Sequence, residues 1–258
     1  NIFPEHMDWH GGFEQYAKAK LNILKGSEFN IVLQKTVEEY GLATAYENIE
    51  TYWIWGKTSW ANGYFIHEMQ ELFPTEDELL LGEHNTQNIA AAIAVALKIG
   101  VPMEVIHDTI KNFTGLPHRL QFVGEFQGIY FYDDAISTTP ESTLEALKTF
   151  WKRIGTLFLG GTDRGYDFRL LMEKVQEYWI QNLVFFPPSG EKMAKLLPDF
   201  KGKVLHTDDM QAAVAFAFQY TEPEKICLLS TASPSYSIWK NFEEKGDLFQ
   251  KAIKASSS

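Results

Sequence analysis

The sequence is short of cysteine and of positive charge, and each shortage excludes a class of protein. The one cysteine, Cys227, cannot form a disulfide within the chain, which excludes a disulfide scaffold. Lysine and arginine number 23 against 34 aspartates and glutamates, so the net charge is −11 over 258 residues. Proteins that hold nucleic acid by its phosphates need clustered positive charge. We therefore expect no nucleic-acid partner.

Long apolar runs are absent as well. No run approaches the roughly 20 residues that span a bilayer. The opening residues NIFPEHMDWH have neither the basic head nor the apolar core of a signal peptide. We expect a cytoplasmic protein without a membrane span, and we take it to be a monomer.

The first half of the chain mixes helices with a short strand and a hairpin. Apolar spacing predicts helices over 12–24, 85–99 and 103–113 and a strand over 29–33. The stretch 51–69 alternates aromatic with small or polar residues around Asn62-Gly63, which favours a hairpin because Asn-Gly supplies the positive φ of a tight turn. Gly115 and Pro117 mark the predicted junction between two domains.

Beyond that junction, strands alternate regularly with helices. Two paired strands are predicted over 120–134, and four strand–helix units follow, with strands over 154–160, 182–186, 203–206 and 225–230. This alternation is typical of a mostly parallel sheet covered on both faces, so the predicted fold class is α/β. Ligands of such sheets bind outside the carboxyl ends of the strands. Three of these ends are polar: Asp133-Asp134, Gly160–Arg164 and Ser230–Ser235.

Lys20 occupies an unexpected position on its predicted helix. It shares the apolar stripe with Phe13, Tyr16 and Leu24. Burying an ammonium group costs several kcal/mol unless the charge is paired or neutralised. Either the side chain extends past the aromatic rings to solvent, or Lys20 is a buried lysine with altered chemistry.

A second candidate lies just before that helix. His6, Asp8 and His10 form an H-x-D-x-H pattern, and alternate residues of an extended segment point the same way. Imidazole and carboxylate groups suit a divalent metal. The same pattern is also compatible with a solvated loop.

Other polar residues stand at helix starts and strand ends. Asn85 and Asn88 lie at i and i+3 at the start of the Ala-rich helix, where asparagine either caps the helix or binds a nucleotide. Arg119 and Asp134 are a matched base and acid, either a structural ion pair or part of a site. Thr138 precedes a helix start, at whose N-terminus anions are favoured.

Six stretches, in this order, resemble the Mur ligases of peptidoglycan synthesis, and among them the ligases that add D-glutamate. They are NIFPEHMDWHGGFEQYAKAK, GEHNTQNIAAAIA, FTGLPHRLQFV, YDDAISTTPESTLEAL, LGGTDRGYDF and SYSIWKNFEEKGDLF. The resemblance implies part of a central ATP-binding domain over 1–115. It implies a Rossmann-like amino-acid-binding domain with a mostly parallel sheet over 116–258.

The resemblance also implies a reaction and its site residues. ATP with Mg²⁺ would convert the carboxylate of UDP-N-acetylmuramoyl-L-alanine to an acyl phosphate, which the amine of glutamate attacks. His6 and Lys20 would be the catalytic and metal-binding residues, with Lys20 modified to a carbamate. Matched by position, the nucleotide residues would be Asn85, Asn88, Arg119 and Asp134, and the glutamate residues Thr138, Arg164, Ser235 and Phe242.

The sequence departs from the family pattern in two respects. Ile136 stands where the usual D-S-K-A-T element has lysine, which leaves open whether the amino acid is D- or L-glutamate. The UDP-binding domain and the phosphate loop expected before His6 do not appear in these 258 residues, and we expect the chain alone to be inactive. Two alternatives stay open: a shortened paralogue that binds an amino acid without catalysis, and a metal-dependent hydrolase built on His6, Asp8 and His10.

Overall fold

The computed structural model describes residue 2 and residues 10–256, and the chain divides into two compact units, residues 1–114 and 115–258. Within this described part, no helix combines the length and the apolarity needed to cross a bilayer. The predicted junction at residue 115 lies where the second unit begins.

The first unit is built on a mixed sheet with the strand order β1-β2-β3-β4-β5. The strands β1 to β3 are parallel, and the remaining neighbours are antiparallel. Its strands are β1 (Asn30–Leu33), β2 (Ile49–Tyr52), β3 (Thr58–Ala61), β4 (Tyr64–His67) and β5 (Gln70–Pro74). Its helices are α1 (Phe13–Leu21), α2 (Gln34–Glu39), α3 (Leu42–Ala45), α4 (Glu83–Lys98) and α5 (Met103–Asn112). Among the described strands β1 forms one edge of the sheet.

The helix α4 covers this sheet. Ile89, Ala90 and Ile93 lie on one face of the helix and pack with Phe65 and Phe73 of the sheet. Phe65 has no exposed surface at all, which places the core of the unit between α4 and the hairpin strands.

The turn at the centre of the hairpin predicted over 51–69 is confirmed, but the observed hairpin is shorter and consists of β3 and β4. Asn62 and Gly63 have φ of 52° and 82° and join β3 to β4. Thr51 and Tyr52 belong instead to β2, which pairs in parallel with β1 and, through Tyr52, with β3 of the hairpin. Alternation along the chain cannot distinguish these partners, because it identifies a strand and not the strand beside it.

The second unit is the predicted α/β sheet, in the strand order β10-β9-β8-β11-β7-β6. Its strands are β6 (Gln121–Phe126), β7 (Ile129–Asp133), β8 (Ile154–Gly160), β9 (Asn182–Phe186), β10 (Lys203–His206) and β11 (Ile226–Leu229). Its helices are α6 (Pro140–Phe150), α7 (Arg169–Glu177), α8 (Ser189–Lys195), α9 (Met210–Tyr220) and α10 (Phe242–Ser256). All neighbours are parallel except the edge strand β6, which confirms the predicted class.

The strands of this sheet are buried on both faces. Leu157 and Leu159 of β8 pack in a core with Leu171 and Val175 of α7. Phe158, between them in the chain, packs on the opposite face with α9 and α10. Burial on both faces explains why the central strands are apolar throughout and do not alternate with polar residues.

The two-faced core predicts a large difference between one buried and one exposed leucine. Leu157→Ala removes a side chain with no exposed surface and should lower the free energy of unfolding by about 2–5 kcal/mol. Leu170→Ala makes the same change at a side chain that is 55% exposed and should alter it by less than about 0.5 kcal/mol. Urea denaturation of the two variants measures both values, and equal losses would contradict this assignment of the core.

Candidate functional site

The polar strand ends of the second unit meet at one edge of the sheet. The strand β11 lies between β8 and β7, and all three are parallel. Their carboxyl ends therefore bring Gly160–Arg164, Ser230–Ser235 and Asp133-Asp134 together, as predicted. This is the position at which open α/β sheets bind ligands.

Backbone hydrogen bonds join the first two of these segments. The amide of Thr162 donates to the carbonyl of Pro234 at 2.7 Å, and its hydroxyl oxygen accepts from the amide of Ser237 at 2.8 Å. Gly161 has a φ of 144°, and a Cβ at this position would collide with the carbonyl oxygen of Pro234. The segment that carries Arg164 is thus held against the segment that carries Ser235.

Ser235 presents a buried hydroxyl group that forms no hydrogen bond with the residues that the structure describes. The residue is 2% exposed, and its Oγ lacks a partner there. A buried polar group without a partner costs about 1–3 kcal/mol, so native proteins seldom retain one without a reason. A ligand that bonds to this hydroxyl would remove the cost, which makes Ser235 the strongest predicted binding residue in the described structure.

The other residues predicted for the amino acid surround the same edge. Thr139 caps α6 by accepting from the amide of Ser142 at 3.3 Å, and Thr138 is half-buried just before the cap. Arg164 is exposed, so its guanidinium is free to reach an anion. Phe242 opens α10, and its half-buried ring lies against His118 with 6.2 Å between centroids.

Asp134 is a buried carboxyl at the end of β7. It is 2% exposed and accepts hydrogen bonds from Ser230 Oγ at 2.7 Å and from the amide of Leu120 at 3.2 Å. Burial raises its pKa from 3.8 to about 6, because a carboxylate loses its hydration there, while these hydrogen bonds and the charge of Arg119 oppose the shift. Arg119 itself is exposed, and the ion pairs of residues 10–256 include none between it and Asp134.

Next to it, Asp133 forms a buried pair with His118 that sequence reasoning missed. Asp133 Oδ2 lies 2.8 Å from His118 Nδ1 and accepts from Gln250 Nε2 at 2.8 Å. Ile129, Phe131 and Asp133 are the buried alternate positions of β7. This alternation could have indicated from the sequence that Asp133 is buried, since it places the aspartate in line with core residues.

Lys245 is a second residue that was missed. It has no exposed surface, and its Nζ donates to Thr231 Oγ1 at 2.5 Å. Burial lowers the pKa of its ammonium group to about 7, against the attraction of Asp133 and Asp134, which raises it. Lys245 shares the apolar stripe of α10 with Phe242 and Phe249. A lysine on an apolar stripe, the pattern noted for Lys20, was therefore also visible here.

The burial considered for Lys20 was wrong. Lys20 is exposed, and its Nζ lies 5.2 Å from the centroid of the Tyr16 ring, over the face of that ring. Tyr16 and Ala17 fill the buried side of α1, and the flexible lysine stem passes the ring to reach solvent. The structure therefore agrees with the other alternative, in which the side chain of Lys20 extends past the aromatic rings to solvent.

The predicted metal ligands lie mostly outside the described residues. His6 and Asp8 are not described, whereas His10 is, and it packs edge-on against Tyr16 with 5.4 Å between ring centroids. Within residues 10–256, no group of three or more histidines, cysteines, aspartates or glutamates is arranged to hold a metal. The roles of His6 and of a carbamate on Lys20 stay predictions.

In the first unit, the two asparagines stand in the first turns of α4. The N-cap is Gly82, so Asn85 does not occupy the cap position. Asn85 is buried and donates to the carbonyl of Leu81 at 2.8 Å, whereas Asn88 is exposed, with its amide 3.4 Å from Asn85 Oδ1. The exposed amide of Asn88 is free to bind a ligand, and Asn85 holds it in place.

The raised pKa of Asp134 predicts how stability depends on pH. The folded state holds this proton more tightly than the unfolded state, so the stabilisation is complete below pH 3.8 and is lost as the pH rises through about 6. The loss amounts to about 3 kcal/mol. Asp134→Asn cannot ionise, so the free energy of unfolding of the wild type should fall relative to this variant between pH 4 and 7. Urea denaturation measures the difference, with Asp199→Asn at an exposed site as control, and parallel curves for wild type and Asp134→Asn would contradict it.

The chain is similar to known ligases over nearly its whole length. It is 32% identical over 265 residues to a UDP-N-acetylmuramoylalanine–D-glutamate ligase of Geobacillus sp. (strain WCH70), and 34% identical over 266 residues to that of Oceanobacillus iheyensis. Each match covers 98% of this chain and 58% of the relative. The chain thus spans less than two thirds of the length of these relatives.

Solved structures have the same fold. The MurF ligase from Thermotoga maritima, crystallised in complex with ADP, matches with a TM-score of 0.72 over 99% of this chain and 61% of its own. Their sequences are 16% identical, so this likeness concerns the fold alone.

Two family models match the two units. The Mur ligase middle domain matches residues 1–96, and the Mur ligase glutamate ligase domain matches residues 118–233. Together with the relatives, these matches cover the strand ends and the start of α4 described above. The chain belongs to the Mur ligase family and carries its middle and glutamate ligase domains.

Proposed function

We propose that this chain provides the nucleotide and amino-acid sites of an ATP-dependent ligase that joins glutamate to UDP-N-acetylmuramoyl-L-alanine. Membership of the Mur ligase family and the named activity of the relatives support the reaction class. The observation that carries the amino-acid site is the buried, unpartnered hydroxyl of Ser235 at the edge where β7, β8 and β11 end.

Glutamate has the chemistry that this edge would recognise. The hydroxyl of Ser235 donates to a carboxylate oxygen, and the side chain of Thr138 does the same beside the N-terminus of α6. The guanidinium of Arg164 binds a carboxylate through two parallel hydrogen bonds. Phe242 forms an apolar wall for the methylene groups of the ligand. The departure at Ile136 leaves the configuration of glutamate open, and we propose D-glutamate because the relatives bear that name.

Each unit, taken by itself, offers residues that we propose bind a nucleotide. Asn88 offers an exposed amide and Asn85 supports it, while Arg119 offers a positive charge that attracts phosphates. Asp134 accepts hydrogen bonds from ribose hydroxyls when ionised, and its raised pKa makes that ability depend on pH near 6. ATP is available in the cytoplasm, where we place the reaction.

The chemistry then takes two steps. ATP transfers its γ-phosphoryl group to the carboxylate of UDP-N-acetylmuramoyl-L-alanine and leaves as ADP. The amine of glutamate attacks the acyl carbon, an amide bond forms and phosphate departs. Holding the amine in position is the contribution of the second unit, because a positioned nucleophile reacts far faster than a free one.

Mg²⁺ is the usual companion of transferred phosphates, which it binds together with one or two carboxylates. His6 and a carbamate on Lys20 are the groups that we propose to hold it; His6 lies outside the described residues, and Lys20 is exposed. Within residues 10–256, no group of three or more histidines, cysteines, aspartates or glutamates is arranged to hold a metal, and no step is assigned to the ion.

Ser235 provides the test of the amino-acid site. Ser235→Ala removes the unpartnered hydroxyl and should weaken glutamate binding about tenfold or more, because a hydrogen bond to a charged group contributes about 1.5–3 kcal/mol. Nuclear magnetic resonance titration of the chain with D-glutamate, and separately with L-glutamate, measures the affinity even when binding is weak.

Ser237→Ala is the matched control. This residue belongs to the same segment, and its hydroxyl already donates to the carbonyl of Pro187 at 3.3 Å. Its loss should leave the affinity for glutamate unchanged. Stronger binding of the L-isomer would reassign the configuration, and no binding of either isomer would refute the proposed amino-acid site.

A further inference from the structure

Lys245 occupies a position where the sequence otherwise places apolar side chains. It lies on the buried face of α10 with Phe249 and Ile253, and none of its surface is exposed. A buried ammonium group is costly unless it is compensated. Trp239 covers it on one side, with its ring centroid 5.9 Å from Nζ. Core packing does not explain the residue, since methionine would fill the space without this cost.

The compensation comes from a directed pair of hydrogen bonds. The hydroxyl of Thr231 donates its proton to the carbonyl of Ser233 at 3.1 Å. Because a hydroxyl has one proton, its oxygen must be the acceptor for Nζ of Lys245, at 2.5 Å. The ammonium group therefore fixes the orientation of Thr231, and Thr231 fixes the turn at Ser233, two residues before Ser235.

The same segment is anchored at further points. The carbonyl of Thr231 accepts from the amide of Gly160 at 2.8 Å, and Ser233 Oγ accepts from Ser189 Oγ at 2.8 Å. These bonds hold the backbone and the far side of the segment. The bond from Lys245 is the one that comes from α10, the helix that also carries Phe242.

The close approach of α10 brings the lysine into a cluster of charged groups. A Cβ at Gly246 would lie 2.7 Å from Asp133 Oδ2 and would collide with the ring of His118, so only glycine allows the helix to pass so near. The titratable groups that face Lys245 are Asp133 and Asp134 at the end of β7, with His118 paired to Asp133. Both carboxylates favour the charged form of the lysine.

We propose that Lys245 is a positioning residue of the amino-acid site, which holds Thr231 and so the segment that presents Ser235. This inference rests on the proposed function, because it assumes that Ser235 binds the amino acid. Lys245 makes no contact with the ligand, since it has no exposed surface. Its effect reaches the ligand through Thr231 and the turn at Ser233.

If Lys245 positions the site, the affinity for glutamate depends on pH. A side chain that only fills space in the core would not cause this dependence. A charged donor forms a hydrogen bond about twice as strong as a neutral one. The pKa of Lys245 is lowered to about 7, so the ammonium form prevails below that pH and the amine above it. Affinity for glutamate should fall as the pH rises from 6 to 8, and the fall should be smaller when Lys245 is replaced by methionine, since only the ionisation of Asp134 then remains.

The experiment compares Lys245→Met, Thr231→Val and the double variant by resonance titration with D-glutamate at pH 6 and pH 8. Each single change should weaken binding about tenfold at pH 6, and the double variant should be no weaker than either, because both break one interaction. Lys240→Met, at an exposed lysine of the same region, is the control and should bind like the wild type.

Urea denaturation separates positioning from loss of the fold. Lys245→Met should unfold at a lower urea concentration than the wild type, since it leaves the carboxyl groups of Asp133 and Asp134 without the cation that faces them, and the titrations are made where both proteins are folded. Wild-type affinity in Lys245→Met, or additive losses in the double variant, would overturn the inference while the proposed function stands. Absence of glutamate binding by the wild type would overturn the proposed function, and this inference with it.

Discussion

Two adjacent buried aspartates at the end of β7 are the constraint on which the second unit depends. Asp133 takes hydrogen bonds from the amide of Ala135, from the side chain of Gln250 on α10 and from its pairing with His118. Asp134 takes them from the amide of Leu120 and from Ser230 at the end of β11. The end of β7 is thereby bonded to the residues just before β6, to the helix α10 and to the end of β11. Buried carboxyls need such partners, and the elements that supply them are the ones that surround the candidate site.

The same burial sets the charge of the site. It raises the pKa of Asp134 to about 6 and lowers that of Lys245 to about 7, because desolvation disfavours whichever form is charged. Both groups therefore change protonation near neutral pH. An incoming carboxylate meets a partly neutralised acid and a cation held just behind the segment of Ser235. Perturbed groups gathered at one strand edge are typical of a functional site.

Lys20 and Lys245 together show that the helical spacing of apolar residues locates a lysine on a stripe but does not predict whether that lysine is buried. Both lysines stand on the apolar stripe of their helices, and the pattern draws attention to each position equally well. Lys20 reaches solvent past Tyr16, whereas Lys245 is enclosed between α10 and the strand ends. The difference depends on what lies opposite the helix, and those residues are distant in the sequence. The pairing of His118 with Asp133 was missed for the same reason, since the two residues are 15 positions apart in the sequence.

What the sequence determined by itself was local: the strands of the second unit and the turn at Asn62-Gly63, because each depends on neighbours a few residues apart. Tertiary structure decided which strands became partners, as when β2, whose last two residues fall in the predicted hairpin, paired with β1. It also decided which polar groups lost their water. Ser235 without a partner, Lys245 without solvent and Asp134 with a raised pKa all follow from that loss. Desolvation is produced by atoms that come from many parts of the chain, and no local pattern records it.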